Sequence, residues 1–400
     1  MKLPVYLRLP PLLSAAVPWL AVDATGGPSC RGKTVPINPP EDFAGAQSSE
    51  RRMIRIVFSD VDGTLVHYPL SKEATTTDES SNEGVLRLPP SMTGMQGIIS
   101  SRTMQLCRSI RDEYHTKFVL VSGMRTHTML KRLPYLPKAD AYCSEAGGRI
   151  FYPKKPEGEL SFKPVHYPGC TEEDLEAYGL EEDLEWRAKM ERQSAAGKDG
   201  FVGHELDCFA AKETQTIPVA ERTGDLWKYG AQLEQEMGIV LDTKGYSSCF
   251  RVNRKHQPNE KAFEALLSMS GPALAPTLAT STNLGCIDFY PVDSGKKNCC
   301  QYLIEKLCSN EDDENPLNIF GPNTLQNNAL CLCDDDNDME MAMSCHHAFL
   351  PGISSKSMKD MVSENAGQFT VTETKDIEGA LATERALELL LKRLPPPLHP

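Results

Sequence analysis

The apolar run Ile54, Ile56, Val57 and Phe58 reads as a short buried strand, and it stops abruptly at the polar stretch Ser59-Asp60-Val61-Asp62-Gly63-Thr64. The polar, small-residue segment Lys72 to Gly84 (KEATTTDESSNEG) can bury nothing, which predicts a mobile loop close to that strand end. From Ser101 to Tyr114, Met104, Cys107, Ile110 and Arg111 recur at helical spacing. Lys117 to Arg125 (KFVLVSGMR) follows as a β-branched run ending in Ser-Gly, and Asp140 to Tyr152 as a further strand and turn. Alternating strands and helices predict a parallel sheet with crossover helices, an α/β fold.

Between about Pro153 and Asp293 the pattern changes. Glu172 to Arg192 and Asp225 to Met237 read as charged helical stretches, Cys249 to Arg254 as a strand, and Asn259 to Met269 as a helix. A turn at Ser281 to Gly285 leads into Cys286-Ile287-Asp288-Phe289-Tyr290-Pro291-Val292. These elements predict an α+β domain inserted into the first. The sheet pattern resumes with Ala329 to Asp338 (ALCLCDDDND), and Phe349 to Ser355 reads as a further strand end. The expected layout is a leader over 1–50, the first part of a core over 51–153, an inserted domain over 154–292, and the rest of the core over 293–394.

Composition adds bounds. A chain of 400 residues, 40% of them hydrophobic, exceeds what one core usually supports, which favours two domains. With 42 basic and 55 acidic side chains the formal charge is −13, which argues against a general nucleic-acid binder or a binder of anionic membranes. The 13 cysteines show no repeated zinc spacing and read as reduced core thiols. Met1 to Val22 carries Lys2 and Arg8 without an acid, then an apolar stretch broken by prolines at 10, 11 and 18. That is a removable secretory or organelle-targeting segment or a disordered leader rather than a membrane span, and it names no compartment.

Candidate chemistry lies at the strand ends. Asp60 and Asp62 are either turn residues or two carboxylates delivered to the carboxyl edge of a sheet, where α/β proteins place ligands. Held together, they would need a cation between them or a proton on one. Ser122 and the amides after it, Gly123 included, could bond phosphate oxygens. A lysine of Pro291-Val292-Asp293-Ser294-Gly295-Lys296-Lys297, just before a helical stretch, could neutralise a phosphoryl group. Asp334, Asp335, Asp336 and Asp338 crowd one turn, and such oxygen-only donors favour Mg²⁺ over a soft metal.

Taken in order, DVDGT, VSG, GKK and DDDND resemble the four signature motifs of the haloacid dehalogenase superfamily of phosphatases, over about Arg52 to Ala348. The insertion between the second and third motifs resembles the type II cap of the branch that includes Cof-type and sucrose-phosphate phosphatases. The resemblance implies a Rossmann-like core, Mg²⁺ dependence and an aspartyl-phosphate intermediate. It implies Asp60 as nucleophile and Asp62 as general acid/base, in surroundings that favour the neutral form more than those of Asp60. Thr64, Ser122 and Gly123 match phosphate-binding positions. Lys296 matches the third-motif lysine, with Lys297 as its rival. Asp60, the Asp62 carbonyl, Asp334 and Asp338 match the metal ligands, with Asn337 supporting their loop. Cys333 stands where a glycine is customary, and the segment 72–84 lengthens the chain after the nucleophile, which bears on loop geometry alone.

In the cap, Arg251, Asn253 and Asp288 are candidate substrate contacts, whereas Arg254 and Lys255 read as a solvated face. The expected substrate is a small phosphorylated metabolite, a sugar or polyol phosphate. A phosphosugar mutase and a catalytically idle binding protein on the same fold are the alternatives. Neither nucleic acid nor membrane is an expected partner, and oligomeric state is not legible.

Overall fold

The computed structural model of the protein describes residues 54–68, 84–90, 94–154, 164–192, 221–268, 271–283, 285–309 and 324–397. The leader and nearly all of the polar segment 72–84 lie outside them. In chain order the first elements are β1 (Ile56–Ser59), β2 (Val85–Arg87), β3 (Ile98–Ser100), α1 (Ser101–Asp112), β4 (Lys117–Val121), α2 (Thr126–Arg132), β5 (Ala141–Ser144) and β6 (Arg149–Lys154). Then come β7 (Gly179–Glu182), α3 (Leu184–Arg192), α4 (Asp225–Met237), β8 (Phe250–Asn253), α5 (Glu260–Leu267), β9 (Leu278–Asn283) and β10 (Cys286–Pro291). The chain closes with α6 (Lys296–Cys308), α7 (Thr324–Asn328), β11 (Ala329–Leu332), α8 (Met339–Ser344), β12 (His347–Leu350), α9 (Lys356–Glu364), β13 (Phe369–Val371) and α10 (Gly379–Leu391).

One sheet, in the order β13-β12-β11-β1-β4-β5-β6-β7, organises the core. It is parallel from β13 to β5, and its last two strands run antiparallel. The central strands are apolar on both faces because both are covered, which is why they read as continuous runs rather than alternations. On one face Val57, Phe118 and Leu330 pack with α1 and α10; on the other Phe58, Val119 and Cys331 pack with α3, α6 and α8. The cysteines of the described residues are free, and all but Cys170 are buried, in keeping with core thiols. Local signals set the helix ends: Ser100 accepts from the Thr103 amide at the start of α1, and Gly238, at φ +64°, ends α4.

A second sheet, antiparallel in the order β8-β10-β9, packs its apolar face on α4 and α5 through Phe250, Val252, Ile287 and Phe289. These elements form an α+β unit that lies, in chain order, between β7 and α6.

Three expectations change. The stretch Glu172 to Arg192, read as helical from its charge, is a short turn, then β7, then α3. Its strand extends the large sheet beside β6 and its helix packs on that sheet, so the core reaches well past the boundary expected at 154. Burial supplies the reason. Glu182 is paired with buried Arg149 at 2.7 Å and with Arg187 at 2.7 Å, and Trp186, 1% exposed, donates to the Gly147 carbonyl at 3.0 Å. Ser281 to Asn283, expected in a turn, belongs to β9, and the reversal falls at Gly285, whose φ is +75°.

Candidate active site

Register brings the site together. Ile56 to Ser59 of β1 lie beside Ala329 to Leu332 of β11 and Lys117 to Leu120 of β4, so the three strands end at one edge. Asp60, Ser122 and Asp334 therefore leave neighbouring strands side by side, and the Asp60 amide donates to the Leu332 carbonyl at 3.0 Å.

Carboxylate oxygens of Asp60, Asp334 and Asp338 lie within 4.8 Å of one another, all buried. Lys296, the first residue of α6 and 3% exposed, reaches between them, 3.0 Å from Asp60 Oδ1 and 2.6 Å from Asp338 Oδ1. Asp60 Oδ1 faces Lys296 as an ion pair without hydrogen-bond alignment. Lys297 points to solvent, so Lys296 is the lysine that the structure brings here. Burial pushes Asp60 up to about 8 against the pull of Lys296, with Asp338 and Asp62 adding to the rise. Asp334 is raised by burial and by the charges of Asp60 and Asp338, and Asp338 by burial against the pull of Lys296. On Lys296, burial opposes the charge, but Asp338 and Asp60 outweigh it and hold the ammonium above its usual range. Three carboxylates sharing one ammonium leave an excess of negative charge among oxygen donors. That donor set fits a hard divalent cation such as Mg²⁺.

Gly63 sits at φ +87°, and a Cβ there would lie 2.2 Å from Asp334 Oδ2. Asp334 cannot yield, because it is buried and its Oδ1 accepts from the Thr64 hydroxyl at 2.7 Å. Gly63→Ala is therefore expected to cost about 1–3 kcal/mol through strain alone and to weaken Mg²⁺ binding at least about tenfold. Thermal unfolding and a calorimetric Mg²⁺ titration of the variant check both effects.

The remaining sequence candidates divide. Thr64, matched to a phosphate-binding position, is buried and donates its hydroxyl to Asp334 Oδ1. Ser122 is buried; its Oγ accepts from the Met124 amide at 3.2 Å, and its own proton has no acceptor among the described residues. At Gly123 a Cβ would lie 3.0 Å from Asn283 Nδ2, 3.4 Å from Asn337 Nδ2 and 3.8 Å from Arg251 Nη2, so β9 and β8 of the inserted unit close onto this loop. Arg251 makes a two-pronged ion pair with buried Asp288, at 2.6 and 2.7 Å. Asn253 turns away to cap the following turn, accepting from the Lys255 amide at 2.9 Å. Arg254 and Lys255 are exposed, as a solvated face requires.

Asp62 Oδ1 accepts from buried Arg132 Nη1 at 2.8 Å and from the Tyr68 hydroxyl.

Further residues join the two units. Glu145, fully buried at φ +55°, accepts from the amides of Ser247 and Ser248 at 2.9 and 2.8 Å. Arg125 pairs with Asp242, and Thr282 donates to Asp336 at 3.1 Å. No local signal marks these partners, which lie about a hundred residues apart in the chain or on opposite units. A cavity of about 310 Å³ opens beside Lys296, with Thr280, Thr282 and Tyr290 on one wall and Asp336, Asn337 and Glu340 on the other.

No protein-family model matches the chain, and no curated protein matches it. Among solved structures it is similar to a haloacid dehalogenase-like hydrolase of Bacillus subtilis, at 15% identity over 86% of this chain and 94% of that one, with a TM-score of 0.40. The sucrose-phosphatase of Synechocystis sp. PCC6803, solved with sucrose and phosphate, is 11% identical over 85% of this chain and 98% of the other, with a TM-score of 0.44. The trehalose-6-phosphate phosphatase of Aspergillus fumigatus is 11% identical over 86% and 94%, with a TM-score of 0.37.

Proposed function

We propose that the protein is a phosphatase of the haloacid dehalogenase type, which hydrolyses a small phosphorylated metabolite through an aspartyl-phosphate on Asp60. The observation that carries this is Asp60 at the carboxyl edge of the central strand, 3.0 Å from the buried ammonium of Lys296 and grouped with Asp334 and Asp338. A nucleophile in phosphoryl transfer needs positioning and neutralisation of charge more than covalent activation, and the cluster supplies both. Asp60, Asp334 and the Asp62 carbonyl, with Asp338 beside them, would hold Mg²⁺; when bound, the ion neutralises phosphoryl oxygens.

In the first step an Asp60 carboxylate oxygen attacks phosphorus, the bond from phosphorus to the leaving oxygen breaks, and Asp62 gives that oxygen a proton. In the second, Asp62 takes a proton from water as the water oxygen attacks phosphorus. The bond from phosphorus to Asp60 breaks, and inorganic phosphate leaves. Ser122 and the Gly123 backbone are placed to bind the phosphoryl oxygens, and Lys296 holds Asp60 in line.

A sugar or polyol phosphate is the substrate class that the surroundings favour. Arg251, held by buried Asp288, reaches the loop at Gly123 from the inserted unit, and the cavity beside Lys296 has room for a small metabolite. The test is phosphate release from a panel of sugar, polyol, nucleotide and aryl phosphates, with and without Mg²⁺. Metal-dependent release, fastest from sugar or polyol phosphates, is expected. Silence across the panel from folded protein would sink the proposal.

A further inference from the structure

The guanidinium of Arg132, on α2, has a side chain only 1% exposed, and the carboxylate it pairs with is Asp62, itself 25% exposed at the site. Its Nη1 donates to Asp62 Oδ1 at 2.8 Å and lies 2.9 Å from the Tyr68 hydroxyl; its Nε reaches the Pro89 carbonyl at 3.4 Å. Its Nη2 is buried with no hydrogen-bond partner among the described residues. A buried arginine with an idle donor is an expensive way to stabilise a fold, since apolar packing of the same volume does as well or better. The Tyr68 hydroxyl donates to the same Asp62 oxygen, and its ring stands beside the Arg132 guanidinium, 5.8 Å from centroid to Cζ. Gly97 makes room for the ring and its strand: a Cβ there would lie 3.4 Å from Tyr68 Cε1 and 2.3 Å from Val66 Cγ1.

All of these contacts converge on one oxygen. Asp62 Oδ1 takes both side-chain bonds, and Oδ2 takes none among the described residues. With Oδ1 clamped from two directions, the carboxyl group cannot rotate freely, and Oδ2 is left as the oxygen that exchanges a proton with substrate or water. Proton transfer is steep in geometry, so fixing this rotamer bears directly on rate.

Building on the phosphatase reading above, we propose that Arg132 and Tyr68 are positioning residues that clamp Asp62 through Oδ1 so that Oδ2 serves the leaving oxygen. Neither touches the reacting atoms. The clamp matters in proportion to how much the leaving group needs a proton. Phenyl phosphate, with a poor leaving group, depends on Asp62; 2,4-dinitrophenyl phosphate, whose phenolate leaves unaided, does not.

The experiment compares kcat/KM for these two substrates, with Mg²⁺, in wild type, Arg132→Met and Tyr68→Phe. This ratio reports only steps through the phosphorylation of Asp60, so later hydrolysis does not enter. Arg132→Met is expected to lose about 10- to 100-fold on phenyl phosphate and less than about 3-fold on 2,4-dinitrophenyl phosphate. Tyr68→Phe, which removes one hydroxyl and leaves the packing, is expected to show the same split at smaller size. Equal losses on both substrates, or no loss on either, in Tyr68→Phe would overturn the proposal even if Arg132→Met does not fold. A wild type that turns over neither of these nor any sugar or polyol phosphate would instead overturn the phosphatase reading, and this inference with it.

Discussion

Asp60→Asn is expected to abolish phosphate release, by at least about 10⁴-fold in kcat, while leaving the protein folded. Asparagine matches the shape of aspartate but cannot form the aspartyl-phosphate. The stability of the variant separates a catalytic role from a structural one. In the wild type without metal, burial raises Asp60 to about 8 from an ordinary 3.8. A carboxyl raised in the folded state contributes stability that is fully present below about pH 4 and is lost as pH climbs through about 8, because the unfolded chain ionises it more easily. Asparagine suffers no such loss. Without Mg²⁺, the variant should therefore match or exceed the wild type in melting temperature at pH 8–9, its advantage shrinking toward pH 4. Added Mg²⁺ should raise its melting temperature less than that of the wild type. Phosphate release and paired thermal scans at pH 4, 6 and 9 check the expectation. An inactive variant that is also strongly destabilised at high pH would mean that Asp60 is structural.

The parts of this site legible in the sequence are those that a short stretch determines alone. A buried parallel strand leaves an uninterrupted apolar run, so Val57-Phe58, Val119 to Val121 and Leu330 to Leu332 announce themselves, and the polar residues following each run must gather at one edge. Those runs bring Asp60, Ser122 and Asp334 to one edge, while their roles came from the resemblance of the four motifs taken in order. Lys296 and Lys297 could not be separated without the helix. As successive residues of α6 they point about 100° apart, and one is buried while the other meets solvent.

Illegible were the features fixed by a distant partner. Arg132 ends the stretch Thr126-His127-Thr128-Met129-Leu130-Lys131-Arg132, which no short motif marks; only Asp62, 70 positions earlier, gives it meaning. The same holds for Glu182, whose charge suggested a solvated helix until Arg149 and Arg187 enclosed it in the sheet. Asp62 is marked by its own short motif, but only the fold reveals the cation beside it.

Removing that other cation, Lys296, is expected to have the second large effect. Lys296→Met keeps the length of the side chain but leaves Asp60 and Asp338 facing each other, both buried, with Asp334 alongside. Breaking a buried pair by deleting one partner typically costs about 3–5 kcal/mol, because the other charge remains where water cannot reach it. Here two carboxylates lose the group that pulls them down, so both should rise further. By the sign already worked out, that added rise makes the deficit of the variant small below about pH 4, where the carboxyls are protonated folded or unfolded, and progressively larger as pH increases. A divalent cation supplies part of the missing positive charge. Mg²⁺ should then stabilise Lys296→Met more than wild type at pH 8, the opposite of its effect in Asp60→Asn. Turnover should fall about 10²- to 10³-fold even at saturating Mg²⁺, because the ammonium that neutralises the reacting group is gone. Lys297→Met, altering an exposed neighbour outside the carboxylate cluster, should leave Mg²⁺-dependent melting unchanged. If the two lysine variants behave alike in Mg²⁺-dependent melting and in turnover, the geometry assigned to Lys296 is wrong.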